Sequence, residues 1–119
     1  MDHLWIKLVP KKNRPLSPYA SEAAVLLGQL IRRARIDRRK SVADVTARAG
    51  ISRGLLRRIE TGDPGCTLGV VFEVATIVGV RLFDAGETKM SRYVQANREM
   101  LTLLPKAIRK PRTQVNDDF

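Results

Sequence analysis

The run "SVADVTARAGISRGLLRRIETG", Ser41 to Gly62, constrains this chain more than any other feature. It holds two short amphipathic segments joined at a glycine, and each opens on a serine. Ser41 is a helix N-cap candidate, with Asp44 three residues on, where a carboxylate also suits the positive end of a helix. Val42, Val45 and Ala49 then share one face. Gly50 ends this helix, because the residue after a helix often turns left-handed, a conformation glycine adopts cheaply. Ser52 caps the next, in which Leu55, Leu56 and Ile59 point inward while Arg53, Gly54, Arg57 and Arg58 are left outward. So short a pair must bury its apolar stripes against other elements.

The flanking sequence supplies them. Ala23, Ala24, Leu27, Leu30, Ile31 and Ala34 recur at helical spacing from about Ser21 to Arg35, with Gln29, Arg32 and Arg33 on the other side. "TGDPG", residues 61–65, is a turn, and Thr67 is placed to cap a helix over residues 68–78. In that helix Leu68, Val71, Phe72, Ala75 and Val78 make one apolar face and Val70, Val74 and Ile77 a second. A helix apolar almost all round needs cover on both sides. The second cover is expected from another subunit or the C-terminal segment, which puts Val70, Val74 and Ile77 at a dimer contact. "VRLF", residues 80–83, has the composition of a short strand. Residues 87–104 read as a last helix, with Met90, Tyr93, Val94, Leu101 and Leu104 on one face and Pro105 as its stop. The division is therefore an N-terminal arm (1–20), an all-α domain (21–83), a C-terminal helix for dimer or partner contact (84–104) and a flexible tail (105–119).

Charge narrows the function. Among 119 residues, 22 Lys and Arg stand against 12 Asp and Glu, a formal net charge of +10. Ten of the basic residues, against four acids, lie between residues 21 and 62, so the excess peaks over the opening motif and implies a polyanionic partner. Aromatics are 5% of the chain, with none on the second helix of the pair, which disfavours base stacking on RNA. The small alanines of the first helix suit a core better than a membrane surface, and no apolar run approaches the roughly 20 residues of a bilayer span. One cysteine, Cys66, excludes an internal disulfide and a multi-cysteine zinc site; it reads as a packed thiol in a reducing cytosol. His3 has no partner pattern, and Asp117 and Asp118 are adjacent on a tail, which suits neither a catalytic pair nor a metal cage. No phosphate-cradling glycine loop and no nucleophile–base arrangement is present. The expectation is a cytoplasmic, nucleoid-associated protein that is not an enzyme and needs no cofactor.

Two helices joined by a tight glycine turn, the second basic on its exposed face, describe a helix-turn-helix. Its second helix can enter a major groove about 12 Å wide, where arginine reads guanine through paired hydrogen bonds. The pair Val45-Thr46, then Ala49-Gly50-Ile51, then "SRGLLRRIETG" closely resemble the Cro and phage-repressor-like (Xre) helix-turn-helix family, over about residues 24–83. That resemblance implies a five-helix Cro/repressor-like domain, here with a short strand and an extra C-terminal helix. It implies a homodimeric repressor on double-stranded DNA with a palindromic operator. By the same resemblance Arg53, Gly54, Arg57 and Arg58 occupy base-reading or groove-lining positions, and Arg39, Lys40, Ser41, Ser52 and Thr61 sit where the family touches phosphate. The chain departs from the family at Val42, where a glutamine often clamps a phosphate, and at Thr46, often alanine; Arg39 and Lys40 can replace that clamp electrostatically. Arg32 and Arg33 are either a solvated face or further phosphate contacts, and "PKKNR", residues 10–14, either a solubilising arm or a minor-groove arm.

The size, the "GVRLFDAG" continuation and the tail look like the HipB-type antitoxin, partner of a HipA-like kinase toxin, with a stand-alone Xre-family regulator as the alternative. In the antitoxin reading Phe119 is the partner contact, since DNA would repel the neighbouring carboxylates.

Overall fold

The structure, a computed structural model, describes residues 15–108. The expectations for the arm up to residue 14, including His3, and for Asp117, Asp118 and Phe119 lie outside the described residues. Among those described there are five helices and no sheet: α1 (Pro18–Asp37), α2 (Val42–Ala49), α3 (Arg53–Glu60), α4 (Leu68–Val78) and α5 (Glu87–Thr102). The chain divides after Asp84 into two units, the first holding α1 to α4 and the second α5. The count of five thus includes the C-terminal helix.

Local chemistry sets each boundary. Ser17 caps α1, its Oγ accepting from the Ala20 N–H at 3.2 Å, and Pro18 fills a first-turn position where a missing N–H costs nothing. The helix therefore starts inside the stretch expected to be arm. Ser41 and Ser52 cap α2 and α3, accepting from the Asp44 and Leu55 N–H groups at 3.0 Å each. Gly50 closes α2 at φ 69°, in the left-handed region. Thr67 holds the cap position of α4, but its hydroxyl makes no capping bond.

Ile31, Val45, Leu56, Ile59, Val74, Ala75 and Val78 form the core of the first unit, so each of its four helices contributes. α1 reaches α3 closely at Gly28. A Cβ there would lie 2.9 Å from the Glu60 carbonyl oxygen and from the Gly62 nitrogen, and would overlap the Ile59 carbonyl. Only glycine fits that crossing.

Two expectations are corrected. Val74 is 0% exposed, inside the core, so it offers no surface to a second subunit. At about 100° per residue, Val70, Val74 and Ile77 are neighbours of Val71, Ala75 and Val78 on one wide arc, not an opposite face. α4 packs against both α1 and α2, which covers that arc; Val70 and Ile77 are half-buried on the same core. The "VRLF" segment is also not a strand. Leu82 holds an isolated bridge position, and Phe83 and Asp84 follow in a tight turn with φ of 55° and 54°. The pairing is confined to bridge positions at Leu82 and Ala85 around that turn, and no sheet occurs among the described residues to extend it.

Candidate nucleic-acid interface

Because Leu56 and Ile59 anchor α3 in the core, its opposite side is turned out, and Arg53, Gly54, Arg57 and Arg58 are all exposed there. Arg53 is the first residue of α3, and Arg57 follows one turn later. Neither guanidinium makes a hydrogen bond or ion pair among the described residues. Arg58 differs. Its Nε donates to Asp63 Oδ2 at 2.7 Å, and Asp63 Oδ1 accepts from the Gly65 N–H at 2.8 Å. Arg58 is thus tethered to the turn after α3, unlike Arg53 and Arg57. At Gly54 an added Cβ would meet only Ser52 Oγ, at 3.9 Å, so nothing in the chain itself requires glycine there.

α1 contributes as much charge as α3. An open groove of ≈ 820 Å³ runs between α1, the start of α2 and α3, and Arg32, Arg33, Arg53 and Arg57 all line it. Its acids are Asp37 and Glu60, and Glu60 is already engaged. Arg35 Nε donates to Glu60 Oε2 at 2.6 Å and Nη2 to Oε1 at 3.1 Å, while Nη1 reaches the Lys40 carbonyl at 3.2 Å. The bond to Glu60 holds the Arg35 pKa above its usual value, against the opposing effect of partial burial. Arg32 Nε lies 3.9 Å from Glu60 Oε1, with its side chain mostly exposed. Five guanidiniums line one concavity and only that of Arg35 is closely paired with a carboxylate, so they repel one another, and a polyanion laid across them relieves that repulsion.

The expected phosphate contacts separate by hydrogen-bond direction. Ser41 and Ser52 accept from backbone N–H groups, so each hydroxyl proton remains to be donated. Thr61, just after α3, donates its proton to the Arg57 and Arg58 carbonyls at 3.0 and 3.1 Å, so in the unbound chain that proton is shared with the end of the helix. Arg39 is exposed at φ 55°, and Lys40 is half-buried beside it. Arg38, from the same basic run, is structural: its Nη1 donates to the Val78 carbonyl at 2.7 Å, closing the end of α4. Val42 stands in the groove wall without an amide.

Sequence reasoning missed the Arg35–Glu60 and Arg38–Val78 bonds. The one signal for the first was Glu60, the only acid on α3, beside its apolar stripe, and the second, to a backbone carbonyl, had none. Cys66 packs half-buried against the core, and burial pushes its thiol up, with Arg58 pulling it down and Asp63 adding to the rise. No group of three or more potential metal-binding side chains occurs among the described residues, and none of their helices is long and apolar enough to cross a membrane.

A helix-turn-helix domain family model matches residues 26–85, from within α1 to just past the Phe83–Asp84 turn. No curated protein and no solved structure matches the chain.

Proposed function

The chain belongs to the helix-turn-helix domain family, whose members bind DNA, and from that premise we propose that it is a sequence-specific transcriptional repressor acting as a homodimer on a palindrome-like operator. The observation that carries this reading is the pair of guanidiniums on α3, Arg53 and Arg57, which have no partner among the described residues and line a groove with Arg32 and Arg33. Arginine on a major-groove helix makes paired bonds to guanine O6 and N7. Arg39, Lys40 and the hydroxyl protons of Ser41 and Ser52 would supply the phosphate contacts, with the backbone N–H groups at the starts of α2 and α3. Two copies related by a two-fold axis would read half-sites about 34 Å apart, one helical turn. The protein acts by binding, at the nucleoid, without catalysis or cofactor. Selection of bound duplexes from a random pool tests this: a palindromic consensus is expected, and a pool that stays random would overturn it.

The second reading is an antitoxin of HipB type that represses its own operon and binds a HipA-like kinase toxin. It is favoured by the stretch "GVRLFDAG", residues 79–86, whose Phe83 is 74% exposed on a strained turn at the end of the first unit. Phe119 would complete the partner contact. Removing residues 113–119 should leave operator binding unchanged and weaken binding to such a kinase; an unchanged kinase affinity rejects the role of Phe119. If no such kinase binds the full chain, the protein is a stand-alone regulator.

A further inference from the structure

α5 carries an apolar stripe on a coiled-coil schedule, with one interruption at its centre. Met90, Tyr93, Asn97 and Met100 are spaced three, four and three residues apart, successive a, d, a and d positions within the helix, and Leu104 follows just past its end. Val94 and Leu101 widen the stripe on one flank, and Arg92, Gln95, Glu99 and Thr102 lie opposite. None of the helix's own residues is buried, and Tyr93, Val94, Met100 and Leu101 are between 46% and 66% exposed. A helix of 16 residues with that much apolar surface is marginal alone in water, so it requires a cover.

Asn97 says what the cover is. Its Nδ2 donates to the Tyr93 carbonyl at 3.0 Å, which leaves Oδ1 and the second amide proton unmet. Against a purely apolar partner those groups would be buried without bonds. Against an identical helix, parallel and in register, each Asn97 carboxamide meets the other, Oδ1 accepting from Nδ2. A single asparagine at an a position fixes register and oligomer number in this way, at a cost in stability. We propose that α5 is the dimer seam of this protein, a short parallel coiled coil of two copies with Asn97 facing Asn97 of the second copy. The proposal deepens the reading of the chain as a dimeric operator-binding protein and rests on it. It keeps the C-terminal helix in the interface and takes Val74 of α4, which is core, out of it. Fewer than two heptads make a weak dimer, and an operator with two half-sites supplies the rest through high effective concentration.

Sedimentation equilibrium on the full chain tests the seam, with fluorescence anisotropy on single and paired half-sites beside it. A reversible dimer is expected. Leu101→Lys should weaken dimerisation by about 30-fold or more, while a single half-site keeps its affinity and sequence preference. Asn97→Leu should tighten association by about tenfold or more and admit higher oligomers. In a Cys66→Ser background, Met100→Cys should cross-link to its counterpart under mild oxidation, because a parallel in-register pair sets like residues opposite one another. A monomeric wild-type chain, as when α5 is covered by the chain's own first unit, overturns the proposal. So does a dimer unmoved by Leu101→Lys, or a Met100→Cys dimer that stays unlinked. If the operator reading itself were wrong, the half-site preference would be missing from every variant while the association data stood.

Discussion

Arg35 of α1 and Glu60 of α3, 25 residues apart, meet through two parallel hydrogen bonds of 2.6 and 3.1 Å, with side chains only 12% and 8% exposed. The paired geometry suits a guanidinium and a carboxylate, and it fixes the recognition-helix candidate against the helix behind it. Arg35 also holds the Lys40 carbonyl, so one side chain ties together α1, α3 and the approach to α2.

Removing one partner of such a pair leaves a charge that water reaches poorly. Glu60→Ala is therefore expected to destabilise the protein by about 3 kcal/mol, the low end for a buried pair because a rim of exposure remains. Glu60→Gln, which keeps an acceptor and the shape, should cost less. Urea unfolding midpoints check the order; an unchanged midpoint for Glu60→Ala would mean that the pair adds nothing to the fold.

On DNA, the arginines of α3 and of α1 should behave differently. Arg53→Ala should lose about 1–3 kcal/mol on the selected operator and relax one base position. Arg32→Ala, Arg33→Ala and Lys40→Ala should weaken all sequences alike, each reducing the salt slope by about 1. Binding measured between low and moderate salt on operator and scrambled duplexes separates the two groups. Equal loss on both duplexes for Arg53→Ala would remove α3 from base reading.

Short-range features were the ones legible in the sequence. The caps at Ser41 and Ser52, the left-handed Gly50 and the outward side of α3 each follow from residues within four positions of one another. What was not legible depended on tertiary distance. Val74 read as a second face because periodicity cannot say how wide an arc its neighbours cover, and α1 and α2 together cover most of α4. Arg35, Arg38 and Arg53 look alike as basic residues. Only the fold shows that the first two are bonded to Glu60 and to the Val78 carbonyl and that the third is open. Gly28 was hidden for the same reason, since its need arises from the far end of α3.

Gly54 separates folding from binding. A glycine inside a helix costs roughly 1 kcal/mol relative to alanine, and no neighbour closer than 3.9 Å stands where a methyl group would go. Gly54→Ala should therefore raise stability by about 0.5–1 kcal/mol. If the bare backbone is there to let DNA approach, the same change should weaken operator binding. Tighter or equal binding together with higher stability would show that glycine serves no close approach at this position.

The tether between Arg58 and Asp63 gives the last expectation. Both side chains are partly exposed, so the ion pair itself adds little to stability, and breaking it should leave the unfolding midpoint nearly unchanged. Its effect should appear on DNA. While Asp63 holds the guanidinium at 2.7 Å, Arg58 can offer a base or phosphate only what remains after that bond. Arg58→Ala should then cost the operator complex clearly less than Arg53→Ala. Asp63→Asn keeps an acceptor for the Gly65 N–H, removes the negative charge and releases Arg58. It should tighten binding, increase the salt slope by about 1 and alter base preference at one position. The decisive comparison is Arg58→Ala against Arg53→Ala on the same operator: equal losses would mean that Arg58 leaves Asp63 on binding and reads DNA directly.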